Sequence, residues 1–172
     1  MAKVAFIIDE MFEDSEFRIP YDRVKEAGHE PVIVGLEPSK KLPGKKGKEE
    51  ITTEVGIDEV STDDFAALVI PGGYSPDKIR TNDKMVALTR DMVIAGKPVA
   101  AICHAGWMLA EADVIQGRTV TSWPSIKTDL INAGANWVDQ EVVEDGNVIT
   151  SRKPDDLEAF SKTLLAQLER TT

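Results

Sequence analysis

Short apolar runs alternate with amphipathic stretches of helical length along this chain, and this alternation restricts the possible folds. Lys3–Ile8 is an apolar run typical of a strand buried on both faces. Phe17, Tyr21 and Val24 then recur at helical spacing, and Pro31–Leu36 forms a second apolar run. A strand, a helix and a second strand in this order predict a βαβ unit, whose two strands are parallel.

The rest of the chain repeats the alternation. Further core strands are predicted at Ala66–Ile70 and Val99–Ile102, and Glu37–Glu59 is interpreted as an excursion containing a short hairpin or edge strand. The other predicted elements are helices at Asn82–Ala95, His104–Ala112, Ser125–Ala133 and Pro154–Glu169, a short strand at Thr119–Ser122, and a hairpin of Trp137–Val143 and Asn147–Ser151 turning at Asp145-Gly146. The sequence therefore predicts one α/β domain over residues 1–172, a three-layer α/β/α sandwich with a mostly parallel sheet. Ligands of such sheets bind at the carboxyl ends of the strands.

Composition and charge exclude several classes of protein. Hydrophobic residues make up 42% of the 172 residues and charged residues 29%, a balance typical of globular rather than disordered chains. No apolar run reaches the roughly 18 residues of a membrane-spanning helix, and the N-terminus lacks the pattern of a secretory signal, so we expect a cytoplasmic protein without a membrane partner. The formal net charge of −10 argues against nucleic acid as a partner. The basic cluster between Lys40 and Lys48 is interpreted as a solvated loop.

Cys103 is the main functional candidate. It follows the strand Val99–Ile102 and precedes a helix, so its thiol is expected to face unpaired N–H groups and the positive end of the helix dipole. Such a position favours a thiolate nucleophile, and the following N–H groups are placed to hold an oxyanion. The alternative is a small buried core residue, which is the usual fate of a free cysteine. As the only cysteine of the chain, it excludes an internal disulfide and fits a reducing compartment.

The chain has two histidines, and only one of them can serve such a thiol. His29 follows a helix end and is interpreted as structural. His104 directly follows Cys103, and no histidine lies further along the chain, so His104 is either the base or a helix-start residue without a catalytic role. Because neighbouring residues on a helix point in different directions, the pattern leaves open how far the two side chains cooperate.

Acidic residues and paired glycines follow two other strands of the predicted sheet. Glu13 is a candidate for a carboxyl beside the thiol, where like charge would raise its pKa and make it a hydrogen-bond donor. The sequence alone does not choose among Asp9, Glu10, Glu13, Asp14 and Glu16. Gly72 and Gly73 would let backbone N–H groups approach a ligand closely, or would form only a tight turn. No spaced metal-ligand cluster, dinucleotide fingerprint or phosphate loop is found, so neither a metal nor a cofactor is expected.

Several of these motifs occur together in one known family. The chain resembles the PfpI family of intracellular proteases, within the DJ-1/PfpI superfamily. The segments that carry the resemblance are Phe12-Glu13-Asp14 with Glu16, Lys25–Glu30, Leu68–Gly73, Gly96–His104, Gly117-Arg118, Ile131–Ala135, Val142–Asn147 and Thr150–Arg152. Together they extend over nearly the whole chain. The combination is specific, because Ala101–His104 after a strand and Leu68–Gly73 recur at the spacing of the family.

The resemblance implies a flavodoxin-like fold and assigns roles to individual residues. Cys103 would be the nucleophile, Glu13 the carboxyl hydrogen-bonded to it, and the backbone of Gly73 and His104 the oxyanion site. In PfpI-type proteases an acid from a neighbouring subunit completes a Cys-His-Glu triad, and the matching position here is Asp77, one methylene shorter. Such a site implies a homodimer or a hexamer.

Two functions of different classes follow from these candidates. The first is a stress-protective cysteine hydrolase, acting on peptides or, as a deglycase or glyoxalase-like enzyme, on small carbonyl adducts. The second is a non-enzymatic stress protein, in which Cys103 senses oxidation or the oligomer acts as a chaperone. A binding module whose thiol has no role is a third, simpler interpretation.

Overall fold

The computed structural model describes residues 1–171. The strands are β1 (Lys3–Ile7), β2 (Glu30–Gly35), β3 (Lys41–Pro43), β4 (Glu50–Thr52), β5 (Val55–Gly56), β6 (Ala67–Ile70), β7 (Val99–Ile102), β8 (Thr119–Val120), β9 (Asn136–Trp137), β10 (Val143–Asp145) and β11 (Val148–Ser151). The helices are α1 (Asp14–Glu26), α2 (Ser75–Ile79), α3 (Asp83–Ile94), α4 (Gly106–Glu111), α5 (Lys127–Asn132) and α6 (Leu157–Thr171).

Seven strands form the central sheet, in the order β10-β11-β7-β6-β1-β2-β5. All neighbours pair in parallel except β10 and β11, which form an antiparallel hairpin at one edge. The predicted three-layer α/β sandwich with a mainly parallel sheet is therefore confirmed.

Side chains alternate between the two faces of the sheet, and each face is covered. In β1, Ala5 and Ile7 belong to one apolar cluster, whereas Val4 and Phe6 belong to the other. Residues of α3 and α4 cover the first face, and residues of α1 and α6 cover the second. Because β1, β6 and β7 are buried on both sides, their sequences are continuous apolar runs.

Two smaller pairs of strands lie outside the central sheet. The antiparallel hairpin of β3 and β4 is the predicted excursion. The predicted strand Trp137–Val143 is wrong, because Trp137 pairs in parallel with Val120 in a separate two-stranded sheet while Val143 pairs with Thr150. No helix within residues 1–171 has the length and apolarity needed to cross a membrane.

The carboxyl ends of β1, β6 and β7 meet at one edge of the sheet. The loop after β1 is tied to the loop after β6, because the Glu13 N–H donates to the Gly72 oxygen at 3.1 Å and the Tyr74 N–H to the Met11 oxygen at 2.8 Å. These bonds bring the acidic segment after β1 next to the glycine pair, and Cys103 emerges from β7 beside both.

Candidate active site

Cys103 stands where β7 turns into a short 3₁₀ turn that leads into α4. Its backbone is left-handed, with a φ of 63°, a conformation that costs a residue with a side chain about 1–2 kcal/mol. The side chain is nearly buried, with 8% of its surface exposed. Tight packing around a strained residue of this kind is common at functional sites.

Two backbone N–H groups point at the sulfur, one from Gly73 and one from His104. Gly73 has a φ of 79°, and a Cβ on it would lie 2.4 Å from the backbone nitrogen of Glu13. A Cβ on Gly72 would lie 2.4 Å from Oε1 of Glu16 and 2.8 Å from the Cβ of Cys103. The glycine pair is therefore more than a turn, since it lets the chain pass between the thiol and the acidic loop.

The carboxyl that contacts the thiol is that of Glu16, and not that of Glu13, the residue singled out by the resemblance. Glu16 is fully buried, and its Oε1 accepts the Gly72 N–H at 2.9 Å. Its Oε2 receives no N–H or O–H donor within residues 1–171. A buried carboxylate oxygen without a donor is costly, so this environment favours the protonated acid.

Burial dominates the ionisation of this pair. Burial, followed by the charge of Glu13, raises the pKa of Glu16 to about 8. Burial, followed by the charge of Glu16, raises the pKa of the Cys103 thiol to about 12, against the opposing effect of the His104 and Gly73 N–H groups and of Lys45. The expected lowering of the thiol pKa by the helix end is thus outweighed by burial next to an acid.

Glu13 lies in the same cavity but is paired with two lysines. Its carboxylate oxygens lie 2.9 Å from Nζ of Lys45 and 2.8 Å from Nζ of Lys46. Burial alone would raise the pKa of Glu13, but the hydrogen bonds and charges of Lys46 and Lys45 outweigh it and lower that pKa. The interpretation of the basic cluster as a solvated loop is therefore wrong for these two lysines, which belong to the site.

The loop that carries these lysines is held by the next acid of α1. The carboxylate of Asp14 accepts the N–H groups of Lys46, Lys48 and Glu49 at 2.8–2.9 Å. Burial would raise the pKa of Asp14, but these backbone hydrogen bonds outweigh it and lower that pKa. Gly44 is required at the start of the loop, because a Cβ there would lie 2.5 Å from the same carboxylate.

His104 contacts the thiol despite being its neighbour along the chain. Its Nδ1 lies 3.3 Å from the sulfur of Cys103, and its Nε2 lies 3.3 Å from the hydroxyl oxygen of Ser125. Trp107 packs edge-on against the imidazole and Trp123 stacks on it. Burial, and then the charge of Lys45, lowers the pKa of His104, which keeps the imidazole neutral and able to accept a proton.

The remaining candidates lie away from the thiol. Asp77 is exposed on α2 and has no hydrogen bond or ion pair within residues 1–171, so nothing in a single subunit tests its expected role across an interface. His29 is buried, accepts the Ala2 N–H at 3.1 Å and lies 3.2 Å from Glu169, in agreement with its structural interpretation.

A cavity of about 270 Å³ opens above the thiol. Its lining residues are Glu13, Glu16, Lys45, Lys46, Cys103, His104, Trp123 and Pro154. The sequence places Glu16 among the acids after β1 and among the residues that carry the resemblance, without a role of its own. It gives no indication of the lysines, Trp123 or Ser125. One signal was available for Glu16, which stands four residues before the buried Pro20 and so on the buried stripe of α1. The lysines had no local signal, because only tertiary contacts bring them to the thiol.

The fold is an α/β sandwich, and its thiol lies on a residue with left-handed backbone between a strand and a helix, in contact with a buried carboxyl and an imidazole. These features define a class of proteins with a cysteine site at the carboxyl edge of a parallel sheet. The model of the DJ-1/PfpI family matches residues 2–167. The chain therefore belongs to the DJ-1/PfpI family.

Two relatives match this chain over nearly its whole length. The chain is 47% identical over 167 residues to a protein named protein/nucleic acid deglycase 2 from Escherichia coli (strain K12), covering 96% of this chain and 97% of that one. It is 44% identical over 169 residues to general stress protein 18 from Bacillus subtilis (strain 168), covering 98% of each.

A solved structure has the same fold. In a two-domain protein from Anabaena variabilis, with DJ-1/ThiJ/PfpI-like and ferritin-like domains, the matching part superposes with a TM-score of 0.96 and 40% identity. The match covers 98% of this chain and 48% of that chain, so the present chain spans about half of the two-domain protein.

Proposed function

We propose that this protein is a cysteine-dependent hydrolase of the PfpI type, which removes small carbonyl adducts from amines or thiols as a deglycase. The observation that carries the proposal is the contact of one sulfur with the Nδ1 of His104 at 3.3 Å and with two backbone N–H groups, below an open cavity. A nucleophile, a base and oxyanion donors are thereby within reach of one reacting carbon.

The proposed reaction uses Cys103 as a thiol that ionises during attack. Its raised pKa argues against a thiolate at rest, whereas the neutral His104 imidazole can accept the proton at Nδ1. The C–N or C–S bond of the adduct breaks, the amine or thiol leaves with the proton of the adjacent hydroxyl, and the sulfur bonds to the aldehyde carbon that remains, whose oxygen takes the negative charge. Protonated Glu16 lowers the free-energy cost of ionising the Cys103 sulfur beside it, because the neutral acid does not repel the thiolate and can donate a hydrogen bond.

The second half of the reaction returns the enzyme to its starting state. His104 returns its proton to that oxygen and then moves a proton from the same carbon to the neighbouring ketone carbon through an enediolate, so that the hemithioacetal to Cys103 becomes a thioester. A water molecule, deprotonated by His104, attacks that thioester and releases the acid and the thiol. The Gly73 and His104 N–H groups are the proposed oxyanion donors in both steps.

Cavity size favours a small substrate over a folded protein segment. About 270 Å³ lies just below the roughly 300–1,000 Å³ that is usual for small-molecule sites. Peptidase or glyoxalase-like action at the same sulfur would use the same groups, and substrate comparison separates them. We also propose that the protein acts in the cytoplasm, whose reducing conditions keep the lone thiol free.

Turnover by a serine variant tests the proposal. The Cys103→Ser variant keeps the shape of the site but lacks the polarisable sulfur, so release of free amine from a methylglyoxal-modified amine should fall at least about a thousandfold. Thr128→Ala, an exposed change on α5, is the matched control and should keep wild-type turnover. Wild-type rates in Cys103→Ser would exclude Cys103 as the nucleophile.

Oxidation sensing is the second candidate function. It is favoured by the donors around the sulfur, which would also bind the oxygens of a sulfinate, and by the name of the stress-protein relative. Mass spectrometry after treatment with two equivalents of hydrogen peroxide, the amount that a sulfinate requires, separates the two functions. Selective gain of two oxygens at Cys103, without hydrolysis of any carbonyl adduct, would favour the sensor, and an unchanged mass would count against it.

A further inference from the structure

The imidazole of His104 is held by hydrogen-bonding contacts at both ring nitrogens. Nδ1 lies 3.3 Å from the sulfur of Cys103, and Nε2 lies 3.3 Å from the hydroxyl oxygen of Ser125. The three side chains therefore form a continuous line from the thiol through the ring to the hydroxyl. Nothing in the proposed reaction so far uses the hydroxyl end of this line.

Ser125 is held beside the ring by the fold and not by chance. It lies in the 3₁₀ turn Pro124–Ile126, which precedes α5. The Trp123 N–H donates to the backbone oxygen of Cys103 at 3.2 Å, and Ile126 is buried in the core. The turn is thus anchored to the elbow on one side and to the core on the other.

The chemistry of the ring explains what this hydroxyl can do. A neutral imidazole carries one proton, and it accepts the thiol proton at Nδ1 only when that proton sits on Nε2. After the transfer both nitrogens carry protons, so Nε2 is a donor before and after the step. A hydroxyl oxygen that accepts the Nε2–H therefore suits both states of His104.

We propose that Ser125 is a positioning residue, whose hydroxyl accepts the Nε2–H of His104 and keeps Nδ1 free to take the thiol proton. Ser125 then fills, within one chain, the place that the family resemblance gives to an acid of a neighbouring subunit. The inference rests on the proposed function, because it assumes that His104 is the base for Cys103. The charged groups that act on this ring are Lys45 and, once ionised, Cys103.

Long-range ¹H–¹⁵N correlation spectra of the uniformly ¹⁵N-labelled protein test the proposal directly. Only two histidines contribute, and His29, whose Nδ1 accepts the Ala2 N–H, is an internal control. Spectra at about pH 8, more than one unit above the ordinary histidine pKa of about 6.5, report neutral rings. Wild type should show His104 protonated at Nε2, and Ser125→Ala should gain an Nδ1–H population while the His29 signals stay unchanged.

Alkylation of Cys103 by iodoacetamide gives a second readout that needs no substrate. Ser125→Ala should react about threefold to tenfold more slowly, the effect of losing one hydrogen bond. Ser125→Thr, which keeps the hydroxyl, should restore both the tautomer and the rate, and Thr128→Ala should change neither.

Any of three results would overturn the inference. The first is a wild-type ring protonated at Nδ1, and the second is a tautomer and an alkylation rate that Ser125→Ala leaves unchanged. The third is a tautomer that shifts in Asp77→Asn but not in Ser125→Ala, which would assign the role to a second copy of the chain. Failure of the proposed hydrolase function would appear separately, as turnover that does not depend on Cys103. It would leave the tautomer spectra and the alkylation rates unchanged.

Discussion

Gly73 is the residue at which backbone conformation and site geometry depend on each other most directly. Its left-handed φ of 79° favours glycine, and its missing side chain lets the backbone of the acidic loop approach. The same residue aims an N–H at the Cys103 sulfur. A side chain at this position would therefore disturb both the fold and the thiol.

Comparison of two glycines separates these effects. Gly96 has a nearly equal φ of 77°, but a Cβ on it would meet nothing within 4 Å. Gly96→Ala should lower the free energy of unfolding by about 1 kcal/mol, the left-handed strain alone. Gly73→Ala should cost more than about 3 kcal/mol, because backbone atoms of the acidic loop must also move. Urea unfolding measures both, and equal losses would contradict the close approach.

Glu16 makes stability depend on pH with a defined sign. Its folded-state pKa of about 8 lies above the ordinary 4.5, so the folded state keeps a proton that the unfolded chain releases. Stability should therefore be full below about pH 4.5 for this group and fall as pH rises toward 8, by up to about 1.4 kcal/mol per unit.

Urea unfolding of the Glu16→Gln variant across this pH range checks that sign. Gln keeps the oxygen that accepts the Gly72 N–H but does not ionise, so its stability should lack this decline. Glu26→Gln, an exposed change at the end of α1, is the control and should keep the wild-type decline, because Glu26 is not among the groups that act on Glu16. Parallel curves for wild type and Glu16→Gln between pH 5 and 8 would contradict burial of an ionisable carboxyl.

At the scale of elements, one carboxylate makes several of the contacts that attach the hairpin of β3 and β4 to α1. Asp14 in the first turn of α1 accepts three N–H groups from the hairpin loop. The same loop brings Lys45 and Lys46 to Glu13, the residue just before Asp14. An excursion that the sequence presents as a basic surface loop thus forms one wall of the cavity.

Asp14→Ala should therefore loosen the hairpin loop. We expect a loss of about 1–3 kcal/mol in unfolding free energy and faster hydrogen exchange at the amides of Lys46, Lys48 and Glu49. Asp22→Ala is the control on the same helix, since its ion pair with Arg18 is half-exposed and should cost less than about 1 kcal/mol. Equal losses of unfolding free energy in the two variants, or unchanged hydrogen exchange in the loop, would show that Asp14 does not hold the loop.

At the scale of the whole molecule, the exposed face of α2 lies close to the site. Tyr74, next to α2, is 62% exposed and packs against Lys45, and Asp77 is exposed on the same helix. A second copy on this face would cover part of the cavity mouth. We therefore propose that the predicted homodimer or hexamer forms through this face.

Light scattering at assay concentration tests that proposal. The expected mass is at least twice the 18.8 kDa of one chain. Tyr74→Glu should lower this mass, because it adds a charge to the face that the second copy would bury. Lys84→Glu, an exposed change on α3, is the control and should leave the mass unchanged. A wild-type mass of 18.8 kDa would exclude an obligate oligomer.

Local periodicity in the sequence is sufficient to predict the layers, the parallel core and the place of Cys103. Residues 3–8, 66–70 and 99–102 are continuous apolar runs, and continuous burial on both faces is what a parallel sheet between helices requires. Since carboxyl ends of parallel strands meet at one edge, the neighbourhood of Cys103, Gly73 and the acidic segment also follows from the strand order.

Tertiary structure alone decides which acid contacts the thiol and what surrounds it. Glu13 and Glu16 are both acids of one segment, but the loop of β3 and β4 pairs the first with lysines and the sheet buries the second against the sulfur. The thiol pKa likewise depends on burial and on Glu16, which outweigh the local helix end. Periodicity is a property of neighbours along the chain, whereas contacts of a few ångströms between distant segments depend on how all the elements pack.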